Sequence, residues 1–138
     1  GRAMLDAAVA GAGPRCGVLA VTVLTSLDAG SLGAVGGREV ADVVAEVERL
    51  ADLAAATGAH GVVCGGREVS AVRRRFGDAL RCLVPGIRLA GGGTHDQARV
   101  VTPADAVAAG ASYLVLGRAV TEAAEPAEAM RAVWEQIR

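Results

Sequence analysis

Thr102-Pro103-Ala104-Asp105 opens a segment that passes Gly110 and ends at Tyr113-Leu114-Val115-Leu116-Gly117-Arg118, one complete helix-then-strand unit. Thr102 has the side chain of a helix cap, Pro103 suits the first helical position, and Asp105 puts negative charge in the first turn. Gly110 is placed to end that helix. Residues 113–116 are then apolar without polar alternation, which is how a strand buried on both faces reads.

The same grammar repeats outward from this unit. Residues 18–24, 61–64 and 80–84 are further short runs rich in Val and Leu. Between the first two, Val40, Val43, Val44, Val47, Leu50, Ala51 and Ala54 recur at helical spacing and predict a helix over 39–56. A shorter helix fits 68–76, and a last one opens at Pro126 with Met130, Val133, Trp134 and Ile137 on one face. Residues 28–37 are glycine-rich and read as a loop at the ligand-binding end. An amphipathic pattern (Met4, Leu5, Ala8, Val9) precedes the first run, so the chain starts partway into a helical unit, a hint of truncation. The order is a helix, then strand and helix four times over. Such alternation implies right-handed crossovers and an α/β fold with a parallel sheet. Four units make half of an eight-stranded barrel or a small open doubly wound sheet, and periodicity alone does not choose. The 138 residues fit a single domain over 1–138.

Composition narrows the function classes. The net charge is −1 and aromatics are 2%, so the basic surplus and stacking rings of a nucleic-acid binder are missing. The run Arg73-Arg74-Arg75 reads as a solvated helix face. No apolar stretch is long enough to span a membrane. All 14 basic residues are arginine, so this chain offers no lysine for Schiff-base or proton-donor chemistry. Cys16, Cys64 and Cys82 lack C-x-x-C spacing and read as reduced, buried thiols of a cytoplasmic protein. His60 and His95 have no carboxylate or Cys at ligand spacing, so no metal is expected. Cys64 near a strand end lacks a partnered base and reads as a small buried residue.

In parallel α/β folds ligands bind beyond the C-terminal ends of the strands. There the sequence places Thr25-Ser26, then Gly65-Gly66, then Pro85-Gly86-Ile87-Arg88 with Gly91-Gly92-Gly93 and Asp96-Gln97 behind it, then Gly117-Arg118. In the loops after the third and fourth runs, glycines admit an anion close to backbone N–H groups, and the forked guanidinium groups of Arg88 and Arg118 suit phosphate oxygens.

Val21-Thr22-Val23-Leu24-Thr25-Ser26, Gly61-Val62-Val63-Cys64, Pro85-Gly86-Ile87-Arg88 with Asp96-Gln97, and Tyr113 to Arg118 resemble, in order and spacing, the second half of bacterial orotidine 5'-phosphate decarboxylase. The resemblance implies half of a TIM (β/α)8 barrel, four parallel strands alternating with helices. It implies that Thr25 contacts the pyrimidine and that Arg88, Gln97, Gly117 and Arg118 hold the 5'-phosphate. Pro85 and Ile87 would help wall the base. The family removes CO2 from orotidine monophosphate (OMP) to give uridine monophosphate (UMP) without metal or organic cofactor. Its Asp/Lys network lies in the first half, around an Asp-x-Lys-x-x-Asp motif that this sequence lacks, so no catalytic residue is expected here. Leu89 and Ala119 stand where proline is common. The expected partners are a nucleotide and either a second copy of the chain or a missing N-terminal half. Two alternatives remain: another phosphosugar barrel lyase or isomerase, and a phosphate-binding module without catalysis.

Overall fold

The computed structural model describes residues 1–89 and 99–138. Its centre is a sheet of four parallel strands, β1 (Leu19–Val21), β2 (Gly61–Val63), β3 (Arg81–Val84) and β4 (Tyr113–Leu114), in the order β1-β2-β3-β4. A doubly wound sheet reverses its strand order at a switch point. Strands laid down in chain order, all parallel, progress as a barrel does. The sheet therefore has the half-barrel arrangement and not the open doubly wound one.

Helices α1 (Arg2–Ala12), α2 (Ala29–Gly36), α3 (Val43–Ala55), α4 (Val69–Phe76), α5 (Pro103–Ala108), α6 (Arg118–Thr121) and α7 (Pro126–Gln136) alternate with the strands. The register-paired Ala20, Val62 and Cys82 are buried, and they join Val47, Ala51, Ala54, Val69 and Val72 from α3 and α4 in one core cluster. The next register row, Val21, Val63, Leu83 and Tyr113, has exposed ends. Val21 is 59% and Tyr113 44% accessible. Successive strand residues point to opposite faces. One face of the sheet is thus packed by helices, and the other presents an apolar row with its ends bare.

Local signals explain most boundaries. The Thr102 hydroxyl accepts from Asp105 N–H at 3.1 Å and caps α5, with Pro103 in its first turn. Gly110 follows α5 at φ 99°, a conformation that favours glycine. The helix read over 39–56 starts later, at Val43, because the Asp42 carboxylate accepts from Val44 N–H at 2.8 Å and caps it there. The glycine-rich stretch 28–37 is not a loop. Asp28 accepts from Ser31 N–H at 2.8 Å, α2 runs to Gly36, and Gly37 closes it in the left-handed region. Residues 68–76 form α4, with Glu68 as its first flanking residue. On α7, Val133 is buried while Met130 and Trp134 are 44% and 55% accessible. Among the described residues no helix is long and apolar enough to cross a membrane.

Two departures concern side chains. Cys64 and Cys82 are buried free thiols as expected, but Cys16 is exposed. It follows a short 3-10 turn (Gly13–Arg15) ahead of β1. Glu46 is a nearly buried carboxylate on α3, held at 2.6 Å by Arg49 and at 2.6 Å by Arg38. Hydrogen bonds from Arg49, then from Arg38, outweigh its burial and lower its pKa to about 2.

A carboxyl with a lowered folded-state pKa stabilises the fold above its unfolded pKa and loses that contribution as pH falls. Glu46→Gln is expected to lower stability near neutral pH by on the order of 1–3 kcal/mol, its arginine partners being half exposed. The gap between the two proteins should shrink as pH falls from about 4.5 toward about 2. Urea unfolding across that range measures it, and a gap independent of pH would assign Glu46 a packing role instead.

Candidate functional site

The parallel register fixes what stands at the C-terminal edge of the sheet. Val21, Val63, Leu83 and Tyr113 form one row, and Thr25, Ile87 and Gly117 each lie four residues beyond a member of it. One register step later Val84 pairs with Leu114, and Arg88 and Arg118 each lie four residues beyond that pair. The two arginines therefore follow adjacent strands at the same sequence offset.

Arg88 is buried at 8% accessibility, and its guanidinium donates to the Ile87 carbonyl at 2.7 Å. The chain reaches it through a turn in which Pro85 precedes Gly86 at φ 74°. Proline followed by a left-handed glycine is the residue demand of a type II turn. Beyond the turn, Ile87 pairs with Val101 as a parallel bridge. Arg88 N–H donates to the Val101 carbonyl at 3.0 Å, and Val101 N–H donates to the Gly86 carbonyl at 3.3 Å. Both ends of the connection from β3 to α5 are thereby tied together. Gln97, with Gly91-Gly92-Gly93 and His95, lies outside the described residues.

Arg118 opens α6 and is partly buried. Gly117 before it is exposed, and a Cβ there would meet nothing within 4 Å, so packing among the described residues does not ask for glycine. Thr25 is buried at 6%. Ile87 is fully buried within the core cluster, and Pro85 is partly buried. Thr25, Arg88, Gly117 and Arg118 thus all follow the C-terminal ends of the strands, the two cationic forks after neighbouring strands β3 and β4. Such forks suit a multiply charged oxyanion.

Gly65 and Gly66 serve a different purpose from cradling an anion. A Cβ on Gly65 would run into the Glu68 carboxylate, and one on Gly66 into Val101. These glycines make room for a buried ion pair that sequence reading did not find. Glu68 (2% accessible) and Arg99 (8%) approach to 2.7 Å. The contact is close but off the N–H axis, so it is an ion pair and not an aligned hydrogen bond. Arg99 also donates to the carbonyls of Val23 at 3.3 Å and Leu24 at 3.1 Å.

The remaining reactive side chains lie elsewhere or are quenched. A hydrogen bond with Cys82, together with burial, pushes the Cys64 thiol up, away from the nucleophilic thiolate. His60 stands before β2, at the opposite end of the sheet, 3.2 Å from the Tyr113 hydroxyl. Arg73 and Arg75 of the basic run pair with Asp78 and Asp52 at 2.7 Å each. Among the described residues no group of three or more His, Cys, Asp or Glu is placed to hold a metal.

With this geometry in hand, comparison with known proteins is informative. Residues 1–133 match the model of the orotidine 5'-phosphate decarboxylase / HUMPS family, and the chain belongs to that family. It is 54% identical over 135 residues to the orotidine 5'-phosphate decarboxylase of Anaeromyxobacter sp. (strain K), covering 96% of this chain and 58% of that protein. Against that of Neisseria meningitidis serogroup B (strain ATCC BAA-335 / MC58) it is 44% identical over 137 residues, covering 96% and 55%. The crystal structure of orotidine 5'-phosphate decarboxylase from Lactobacillus acidophilus superposes with a TM-score of 0.79 at 30% identity, over 100% of this chain and 59% of that one. The chain therefore spans somewhat over half the length of these relatives.

The Pro85-Gly86 turn gives a direct test of how the edge is built. Gly86→Ala places an L side chain in the left-handed region and is expected to cost about 1–2 kcal/mol in urea unfolding. An unchanged midpoint would show that the turn relaxes without strain.

Proposed function

We propose that this member of the orotidine 5'-phosphate decarboxylase family supplies the half of the enzyme that grips the 5'-phosphate and pyrimidine of OMP and UMP. The observation that carries this reading is the equal offset of Arg88 and Arg118 beyond the paired strands β3 and β4. Gly117 supports it, since a glycine not demanded by packing leaves its backbone open to a ligand oxygen. Thr25, at the matching offset beyond β1, is the pyrimidine contact in this reading. Gln97 joins the phosphate group as a neutral donor.

The reaction breaks the bond between the pyrimidine ring and its carboxylate. CO2 leaves, the electron pair stays on the ring carbon, and that carbon then takes a proton. Binding energy spent on the remote phosphate lowers the barrier where it serves that step and not just the ground state. The chain contains no lysine to deliver the proton. The Asp/Lys charges belong to the other half of the barrel, and no metal or organic cofactor takes part. The residues here bind and orient, and the chain alone does not turn over. Free thiols at all three cysteines are in keeping with residence in the cytoplasm.

The sheet argues for a companion. β1 and β4 are edges, and the row from Val21 to Tyr113 has bare apolar ends. Open parallel edges are templates for further pairing. Residues 1–138 act in this reading as one domain that pairs with a second copy or with an N-terminal half.

Titration calorimetry with UMP is expected to show binding to the purified chain. Arg118→Ala or Arg88→Ala should weaken it by roughly 10- to 100-fold, the worth of a charge-assisted contact. Undiminished affinity in both variants would remove the phosphate assignment. Incubated with OMP, the chain should release no UMP beyond an Arg118→Ala control. Sedimentation should show self-association, and a well-folded monomer would count against the companion.

A further inference from the structure

We infer that Arg99 is a positioning residue, held by Glu68, that sets the spacing between the pyrimidine contact beyond β1 and the phosphate contact Arg88 beyond β3. The inference rests on the binding role proposed above and goes beyond it by naming what aligns the parts.

The geometry points to Arg99 because its contacts join two strand ends and its own chain segment is bonded to a third. Its guanidinium donates to the Val23 and Leu24 carbonyls, the residues just before Thr25. It pairs at 2.7 Å with Glu68, which lies in the connection after β2. Its own backbone stands two residues before Val101, whose N–H and carbonyl are bonded to Gly86 and Arg88. β3 continues directly into that turn, so Arg99 links β1, β2 and β3 where each gives way to its ligand-facing loop. Thr25 is one residue from a point this clip holds, and the Arg88 N–H is itself such a point.

Burial explains why the clip is rigid. Both side chains are more than nine-tenths buried, where charges interact strongly and are costly to leave unpaired. Gly65 is shaped around the pair, since any side chain there would displace the Glu68 carboxylate. A planar fork reaches two carbonyls and a carboxylate together, which the point charge of lysine does not. Glu68 also neutralises Arg99, so its charge is already matched before any phosphate arrives. This separates Arg99 from Arg88 and Arg118, which the proposed function assigns to the ligand itself.

A purely structural ion pair and a positioning pair differ in a measurable way. Replacing a buried pair by apolar residues of similar volume is often neutral for stability. Glu68→Met/Arg99→Met is therefore expected to melt close to the parent chain and to bind UMP at least tenfold more weakly. UMP affinity within twofold of the parent would overturn the inference. Should the double variant not fold, Glu68→Gln goes through the same titration, with the same twofold limit deciding.

Hydrogen–deuterium exchange keeps the test independent of the nucleotide. In the variant, amides of residues 23–27 and 86–88 should exchange at least tenfold faster, with those of β2 and α3 unchanged. Uniform acceleration, or none, would overturn the positioning role. If the parent chain binds no UMP, the proposed function fails for this chain, and the exchange pattern still decides whether Arg99 clips the strand ends.

Discussion

Everything at the candidate site depends on parallel pairing in chain order. Parallel strands share a direction, so all four carboxyl ends meet at one edge, and every strand-to-helix connection begins there. The register then does what no loop sequence does alone. Because Val84 pairs with Leu114, two arginines far apart in the chain follow adjacent strands at the same sequence offset. Because Val21 belongs to the same row as Leu83 and Tyr113, Thr25 follows β1 at the offset at which Ile87 and Gly117 follow β3 and β4. A slip of one residue in any pair would turn that strand's side chains to the wrong face and take one contact out of step with the rest.

What the sequence revealed was what is local. Thr102, Pro103, Asp105 and Gly110 act within one helix, and the structure has each where the pattern put it. The four strands were legible because an unbroken run of Val and Leu between amphipathic helices suits a strand buried on both faces. They came out shorter than the runs: β1, β2 and β4 stop before the last apolar residues of their runs, and β3 loses its first, Leu80. Residues 28–37 misled because Gly30, Gly33 and Gly36 weigh against a helix. The Asp28 cap and the packing of Leu32 against the core outweigh that preference. Cys16 misled because burial depends on which element covers a position, and that is set by tertiary packing the local sequence does not show.

The Glu68–Arg99 pair was illegible for a stronger reason. An arginine and a glutamate on different connections show no periodicity and no spacing rule. Only the fold brings them together, and only the burial of both makes the meeting matter. The glycines beside them carried a signal without an object. Gly65-Gly66 stood out at a strand end, and their lack of side chains is what Glu68 and Val101 need to fit. Glycine marks a close approach; the sequence does not say by what.

The half-barrel sheet places opposite demands on its two faces. The helix-packed face is complete, with Val47, Ala51, Val62, Val72 and Cys82 all fully buried. The other face leaves Val21 and Tyr113 largely bare, and Met4 on α1 and Trp134 on α7 are 66% and 55% accessible. Those helices flank the first and last strands in sequence. A partner that merely capped the bare face would leave two strand edges without ladder hydrogen bonds. A partner that paired with one edge would leave the other open. Adding strands at β1 and at β4 together closes the ladder and covers the row between them, which is the geometric content of a barrel. The companion proposed for this chain therefore has to be a curved parallel sheet of its own, and a flat helical or extended partner does not meet all three demands.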